Sequence, residues 1–193
     1  MKEKDLEDYL GVSRTVVRET LRQLESERLI ELRPGSGPVV TRLSREEARQ
    51  LYEVRAALEA TAARLAAMNG TAEQKRAVRA ALESIKDSSR GDIHDLVEEK
   101  NRFYRALIEA SGNSIIGEQL QGVQARISQL RTVTLAEPGR EKAMREELDR
   151  VVTAIEQGNQ SAAYEFSLVH VMVASEIALR HLELNAQEEA EIA

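Results

Sequence analysis

The sequence predicts an all-α chain in two parts. A helix-turn-helix with a small β-hairpin after it occupies residues 1–42, and an antiparallel bundle of about six helices occupies residues 43–193. Three observations carry that expectation. A turn-and-helix pattern runs from Leu10 to Leu32, and a Pro- and Gly-rich tip splits two short strand-like runs directly after it. From residue 43 onward, long alanine-rich and glycine-poor stretches are separated by only a few residues of punctuation.

Gly11 stands where a tight turn between two helices needs a residue free to take positive φ, and Ser13 is placed to cap the next helix with its hydroxyl. That helix starts near Arg14. Val17, Leu21 and Leu24 recur at helical spacing and form an apolar stripe, while Arg14, Thr15, Arg18 and Arg22 fall largely on the other side. Arg18 and Arg22 stack two like charges at i and i+4, which costs a few tenths of a kcal/mol on an isolated helix and suits a surface that faces an anion. Arg14 and Arg18 fit bidentate readout of guanine in a major groove, and Thr15 fits a phosphate or a thymine methyl. The alternative for this segment alone is an ordinary amphipathic surface helix with solvated arginines.

Leu29 to Leu32 and Val39 to Thr41 read as two strands around the tip RPGSGP, Arg33 to Pro38. Gly35 and Gly37 allow the hairpin backbone to come close to a sugar-phosphate edge, and Arg33 reaches a phosphate or the minor groove. Beyond it, punctuation at Asn69-Gly70, Ser88 to Gly91, Ser111 to Asn113, Pro138-Gly139 and Gly158-Asn159 delimits six helices. They span 44–69, 71–87, 92–111, 114–135, 139–157 and 160–183, and the tail AQEEAEIA is expected to fray. Connections this short join antiparallel neighbours. Aromatic residues make up 3% of the chain, so the core must be built from Leu, Ile, Val and Ala.

The absence of cysteine excludes disulfides, thiolate metal sites and thiol catalysis. No run of eighteen apolar residues and no apolar signal core occurs, so the expectation is a cytoplasmic protein without a membrane partner. The net charge of −6 is uneven: residues 1–42 carry eight basic and eight acidic side chains, and the whole excess lies in residues 43–193. That balance suits a site-specific reader of DNA better than a protein that coats it. No catalytic constellation is visible. His94 and His181 lack patterned partners, and the acidic pairs Glu98-Glu99 and Glu146-Glu147 read as solvated faces, so the chain is not expected to be an enzyme.

The run LGVSRTVVRETLRQLESERLIELRPGSGPVV closely resembles the winged helix of the GntR family of bacterial transcription regulators. The resemblance implies that Arg14, Thr15 and Arg18 meet bases or phosphates and that the wing around Gly35 and Gly37 contacts the neighbouring groove. With the residue-level reading, the DNA-facing set is Ser13, Arg14, Thr15, Arg18, Arg22, Arg33, Gly35 and Gly37. Val16 stands where that family commonly has proline. Family members also begin with an additional helix, so the sequence as it starts at Met1 is expected to leave Leu6, Leu10, Val17 and Leu21 exposed.

LYEVRAALEATAARLAA, then NRFYRALIEASGN, then AIEQGNQSAA with a later histidine resemble the helical ligand-binding FCD domain of the FadR subfamily. Many members hold a divalent metal there through one aspartate and three histidines. The matching positions here are Lys100, Tyr104, Leu148 and His170, so one ligand of four remains and neither a metal nor another cofactor is expected. Lys100, Tyr104 and His170 instead line the old cavity for an organic effector, with the Lys100 ammonium meeting a carboxylate. Arg55 and Arg131 are further candidates for an anionic ligand. Each has a plainer alternative: a core histidine, a solvated lysine, a packed tyrosine, and for Arg55 a surface pair with Glu59 one turn on.

The resulting expectation is a DNA-binding transcription regulator that senses a small, anionic metabolite. It would act as a homodimer on a double-stranded palindromic operator, because one recognition helix reads too few base pairs alone. Effector binding would act through residues 42–44 on the spacing of the two recognition helices. The alternative is a helical ligand-binding or interaction module whose DNA-binding part is incomplete and inactive.

Overall fold

The structure is a computed structural model that describes residues 3–33, 35–87 and 93–192. Pro34 of the hairpin tip and the Ser88 to Gly91 punctuation lie outside the described residues, as does the side chain of His94. The chain forms two compact units, Met1–Leu43 and Ser44–Ala193.

In the first unit, α1 (Glu3–Leu10) leads through Gly11, at φ +65°, into α2 (Arg14–Ser26). Ser13 is the N-cap of α2, and its hydroxyl accepts from the Val16 N–H at 3.4 Å. An antiparallel hairpin follows, β1 (Ile30–Arg33) and β2 (Gly37–Val40), in the register Ile30 to Val40 and Arg33 to Gly37. Gly35 and Gly37 have φ +82° and +78°, the left-handed backbone that closes so short a tip. Val17 and Leu21 are buried on α2, contrary to the expected exposure, because α1 and β1 pack against that face. Leu6 is half-buried, and Leu10 is exposed beside Tyr9, Val12 and Val16.

The second unit holds α3 (Arg45–Asn69), α4 (Ala72–Asp87), α5 (Ile93–Ser111), α6 (Ser114–Arg126), α7 (Ser128–Ala136), α8 (Arg140–Glu156) and α9 (Gln160–Ile192). Ser44 and Glu47 form a reciprocal capping box that starts α3. α3 packs along α9 and against α5 and α8, with Ala48, Ala56, Ala60, Ala63 and Ala66 at the crossings, where small side chains let backbones approach. Arg55 and Glu59, expected as a surface pair, are buried on α3, while Val54 is exposed.

Two helix boundaries also differ. The stretch expected as one helix over 114–135 breaks at Ile127, a wholly buried residue whose ψ of 8° leaves the helical basin. The break lets α6 pack on α3 and α5 while α7 turns onto α9, α5 and α8, which one straight helix could not do. The tail does not fray at AQEEAEIA, because alanine and glutamate are strong helix formers and no Gly or Pro stops α9 before Ile192. By length and composition Gln160–Gln187 could cross a membrane. Here that segment packs on α3 and α8, with Ser167 and His170 buried within it.

Candidate functional site

Two sites emerge, one in each unit. On α2 Arg14, Thr15, Arg18 and Arg22 are all exposed, beside the buried Val17 and Leu21. Arg14 has only a loose ion pair, 3.9 Å from Glu3, and Arg18 and Arg22 have no ion-pair partner among the described residues. Arg33 at the end of β1 is exposed and held by Glu31, with its Nε and Nη2 at 3.0 and 2.9 Å from one carboxylate oxygen. The eight residues expected to face DNA therefore lie on one helix and one hairpin tip, and Ser13 is committed to capping rather than free.

The second site is a polar cluster inside the bundle. Arg55 and Glu59, read as a surface pair from their spacing, are 2% and 1% exposed. Arg55 Nε donates to Glu59 Oε1 at 2.7 Å, and its Nη2 donates to the Tyr104 hydroxyl at 3.0 Å. From Tyr104 the chain of contacts continues to His170 Nε2 at 3.4 Å, and His170 Nδ1 lies 2.6 Å from Glu147 Oε2. Arg140 closes it with two bonds to Glu147, at 2.5 and 2.7 Å. α3, α5, α9 and α8 are thus tied in sequence through their side chains.

The protonation of this chain follows from its surroundings. Burial holds His170 down at about 4, against the opposing pull of Glu147, so its ring is neutral at physiological pH. A neutral ring that donates from Nδ1 to Glu147 leaves Nε2 to accept from the Tyr104 hydroxyl, which in turn accepts from Arg55; this tautomer is assigned from the network. Burial would raise the Glu147 carboxyl, but the bonds from His170 and Arg140 outweigh it and hold it at about 2. Burial would likewise raise Glu59, and Arg55 reverses the sign.

Lys100 is buried, not solvated, with its Nζ 5.8 Å from the centre of the Tyr104 ring. Burial, then the charges of Arg55 and Arg131, pull its ammonium well below the ordinary lysine range. The side chain of Arg131, 6% exposed on α7, has one hydrogen bond among the described residues, from Nη1 to Asn101 Oδ1 at 3.0 Å. Its Nε and Nη2 have no partner among the described residues, and neither does the buried hydroxyl of Tyr52. Glu147, read as part of a solvated acidic pair, is largely buried and ion-paired instead. Arg140, Asn101 and Tyr52 join the cluster without having been singled out in the sequence, and Glu59 and Glu147 join it in place of the solvated roles expected of them.

The positions that the resemblance offers for a metal do not suit one. Leu148 is a buried aliphatic with no donor atom, and both Tyr104 and His170 already spend their polar atoms on each other and on neighbours. Among the described residues no three His, Asp or Glu side chains converge into a metal-binding group.

Beside this cluster a groove of about 720 Å³ opens between α5 and α6. Gly117 makes the crossing possible, since a Cβ there would stand 2.8 Å from Ile108 Cγ2. Gly112 at φ +70° and Asn113, which caps α6 by accepting from the Ile116 N–H, form the tight connection at one end.

A helix-turn-helix with a hairpin wing, joined to a helical bundle with a charged interior, is the build of a two-part transcription regulator. The family model of the bacterial regulatory proteins of the gntR family matches residues 1–40, and that of the FCD domain matches residues 50–172. The chain belongs to the gntR family of bacterial transcription regulators, in the branch with an FCD domain. It is 33% identical over 131 residues to an uncharacterised HTH-type transcriptional regulator of Mycobacterium tuberculosis, a match that takes in 60% of this chain and 53%, about half, of that relative. It is 25% identical to the HTH-type transcriptional regulator LutR of Bacillus subtilis, over 94% of this chain and 92% of the relative. The solved structure of McbR/YncC of Escherichia coli covers 98% of this chain and 87% of its own at a TM-score of 0.74 and 21% identity, a likeness of fold.

Proposed function

We propose that the chain is a homodimeric, cytoplasmic repressor or activator that reads a palindromic DNA operator with α2 and the β1–β2 wing, and whose bundle binds an anionic metabolite. The observation that carries the DNA half is the row of exposed cations on α2, whose Val17 and Leu21 are buried. Arg14 and Arg18, one turn apart at the N-terminal end of the helix, suit base edges in the major groove. Thr15, Arg22 and Arg33 suit phosphates, and Gly35 and Gly37 let the wing lie close to the backbone of the duplex.

The effector half is supported by Arg55, Lys100, Tyr104, Arg131 and His170 converging from four helices. The exposed apolar side chains of Val169 and Met172 on α9 and Val54 on α3 support self-association of the bundle. Membership of a family of transcription regulators supports a binding protein rather than an enzyme. The apolar α9 reads as a bundle helix rather than a membrane span, since α3 and α8 both pack on it and it carries the buried His170.

Fluorescence anisotropy tests the reading. The full chain is titrated into a labelled fragment from just upstream of its own gene, and into unrelated DNA, at two salt concentrations. Saturable binding that prefers the upstream fragment and survives the higher salt is expected. Equal, salt-labile binding to both fragments would overturn the sequence-specific reader.

A further inference from the structure

The charges of the polar cluster in the bundle do not balance. Arg55, Arg131 and Arg140 bring positive charge, and Glu59 and Glu147 bring negative charge. Arg55 is spent on Glu59 and Arg140 on Glu147, which leaves Arg131 as the guanidinium without a carboxylate partner among the described residues. Its Nε and Nη2 are enclosed by protein as well as unpartnered. The anion that answers Arg131 therefore has to arise inside the bundle.

Lys100 is the side chain placed to become that anion. It is 5% exposed on α5, directly before Asn101, whose Oδ1 accepts from Arg131 Nη1 at 3.0 Å. Lys100 Nζ and Arg55 Cζ lie 5.8 and 5.7 Å from the centre of the same Tyr104 ring. No hydrogen bond or ion pair holds Lys100 Nζ among the described residues, although a lysine this deeply buried is rare without a partner. As an ammonium it would add to the uncompensated positive charge, and as an amine it adds none. Burial and the charges of Arg55 and Arg131 favour the amine. A neutral, desolvated lysine amine is a nucleophile.

We infer that Lys100 is a carbamylation site, at which Nζ takes up carbon dioxide and the carbamate so formed is the buried anion that balances Arg131. The Nζ lone pair forms the bond to carbon, one C=O π pair moves onto oxygen, and one N–H proton passes to solvent. No electron transfer is involved. Carbon dioxide is small and uncharged, so it enters a packed interior that would exclude an ion. The product exchanges an unpartnered amine for a group with two acceptor oxygens, in a cluster where Arg131 has two unmade donors and the buried Tyr52 hydroxyl has no partner. This site goes beyond both halves of the proposed function and depends on neither.

Chemical trapping tests the inference. The full chain is equilibrated with isotope-labelled bicarbonate, treated with a trialkyloxonium salt that converts carbamates to stable esters, and digested for mass spectrometry. The labelled ester is expected on the peptide that holds Lys100, at least about tenfold more abundant than on exposed Lys142, whose amine is almost wholly protonated near neutral pH. Peptide mapping also separates it from any adduct of the chain's N-terminal amine. The same trapping on the urea-unfolded chain should lose the preference for Lys100, because the burial that keeps the amine neutral is gone. Neither measurement depends on a variant that folds.

Melting temperatures supply a second readout. Bicarbonate should raise the melting temperature of the native chain above that in nitrate at equal pH and ionic strength, since the carbamate forms in the folded bundle only. Lys100→Met keeps an unbranched stem without the nucleophile and should lose both the adduct and the rise. Arg131→Gln keeps Lys100 but removes the charge that the carbamate balances, and the trapped fraction should fall several-fold. No ester on Lys100, an ester no more abundant than on Lys142, or a preference that survives unfolding overturns the inference. So does a bicarbonate-dependent rise that persists in Lys100→Met, or an undiminished ester in Arg131→Gln.

Discussion

The two units treat their cations in opposite ways. On α2, Arg14, Arg18 and Arg22 stand in solvent with little or nothing to hold them, whereas Arg55 and Arg140 in the bundle are enclosed and each meets a carboxylate within hydrogen-bond distance. Water solvates an exposed guanidinium at no cost to the fold, so α2 keeps its arginines free for an outside anion. Removal from water costs several kcal/mol per ion, and the carboxylates beside Arg55 and Arg140 offset that cost. Charge on the surface is therefore available for function without affecting stability, and charge in the core affects both.

The largest expected effect lies in the core. Glu59→Ala leaves Arg55 enclosed with only the Tyr104 hydroxyl to accept from it, and the bundle should lose about 3–5 kcal/mol in urea unfolding followed by helical circular dichroism. The double change Arg55→Met with Glu59→Leu removes both charges at similar volume and should recover most of that loss. A single-variant loss below about 1 kcal/mol would mean that the pair is solvated after all, and the contrast between the two units would fail.

The next effect depends on pH. His170 ordinarily titrates near 6.5 and is held at about 4 by burial, with Tyr104, Glu147, Glu59 and Lys100 facing it. A group whose folded value is depressed contributes stability that is complete above its unfolded value and is lost as pH falls through the folded one. The loss from His170 therefore runs from pH 6.5 down to about 4 and amounts to about 3 kcal/mol. Glu147, held at about 2, adds a second loss in the same direction that begins only below about 4.5. Melting temperatures across that range should fall for the native chain, and His170→Gln should flatten the upper part while the lower part remains. A flat native profile between pH 6.5 and 4.5 would show that His170 is not held neutral.

What could be read in the sequence divides along the same line. The turn at Gly11, the cap at Ser13, the hairpin and most helix ends were legible, because each depends on a local rule: positive φ, a hydroxyl at a helix start, a short breaker between apolar runs. The cations of α2 were legible for the same reason, since they fall outside the apolar stripe of Val17 and Leu21. The interior was not. An Arg and a Glu four residues apart look like a solvated pair, and only the alanines around them, which bring α5 and α9 close to α3, bury Arg55 and Glu59. Glu147 hid in an acidic doublet because its partner His170 lies on another helix, and Arg140 hid at a helix start because its partner is that same Glu147. The break at Ile127, which turns Arg131 inward, has neither Pro nor Gly to announce it and is imposed by the packing of α6 and α7 on different neighbours.

The smallest expected effect tests the surface side of the contrast. Arg18→Ala removes an exposed side chain with no ion-pair partner among the described residues, so the melting temperature should move by no more than the equivalent of about 0.5 kcal/mol. Specific DNA binding should nevertheless weaken by about 1–3 kcal/mol, with preference relaxed at one base pair of each half-site. Arg22→Ala, a full turn further along α2, should weaken all duplexes alike and reduce the salt slope by about one counterion. Operator titrations at several salt concentrations separate the two patterns. If Arg18→Ala loses affinity uniformly, as Arg22→Ala should, then α2 meets DNA as a charged surface only. If it also lowers the melting temperature, Arg18 contributes to the fold, and surface and core charge are less distinct than the geometry of the two units implies.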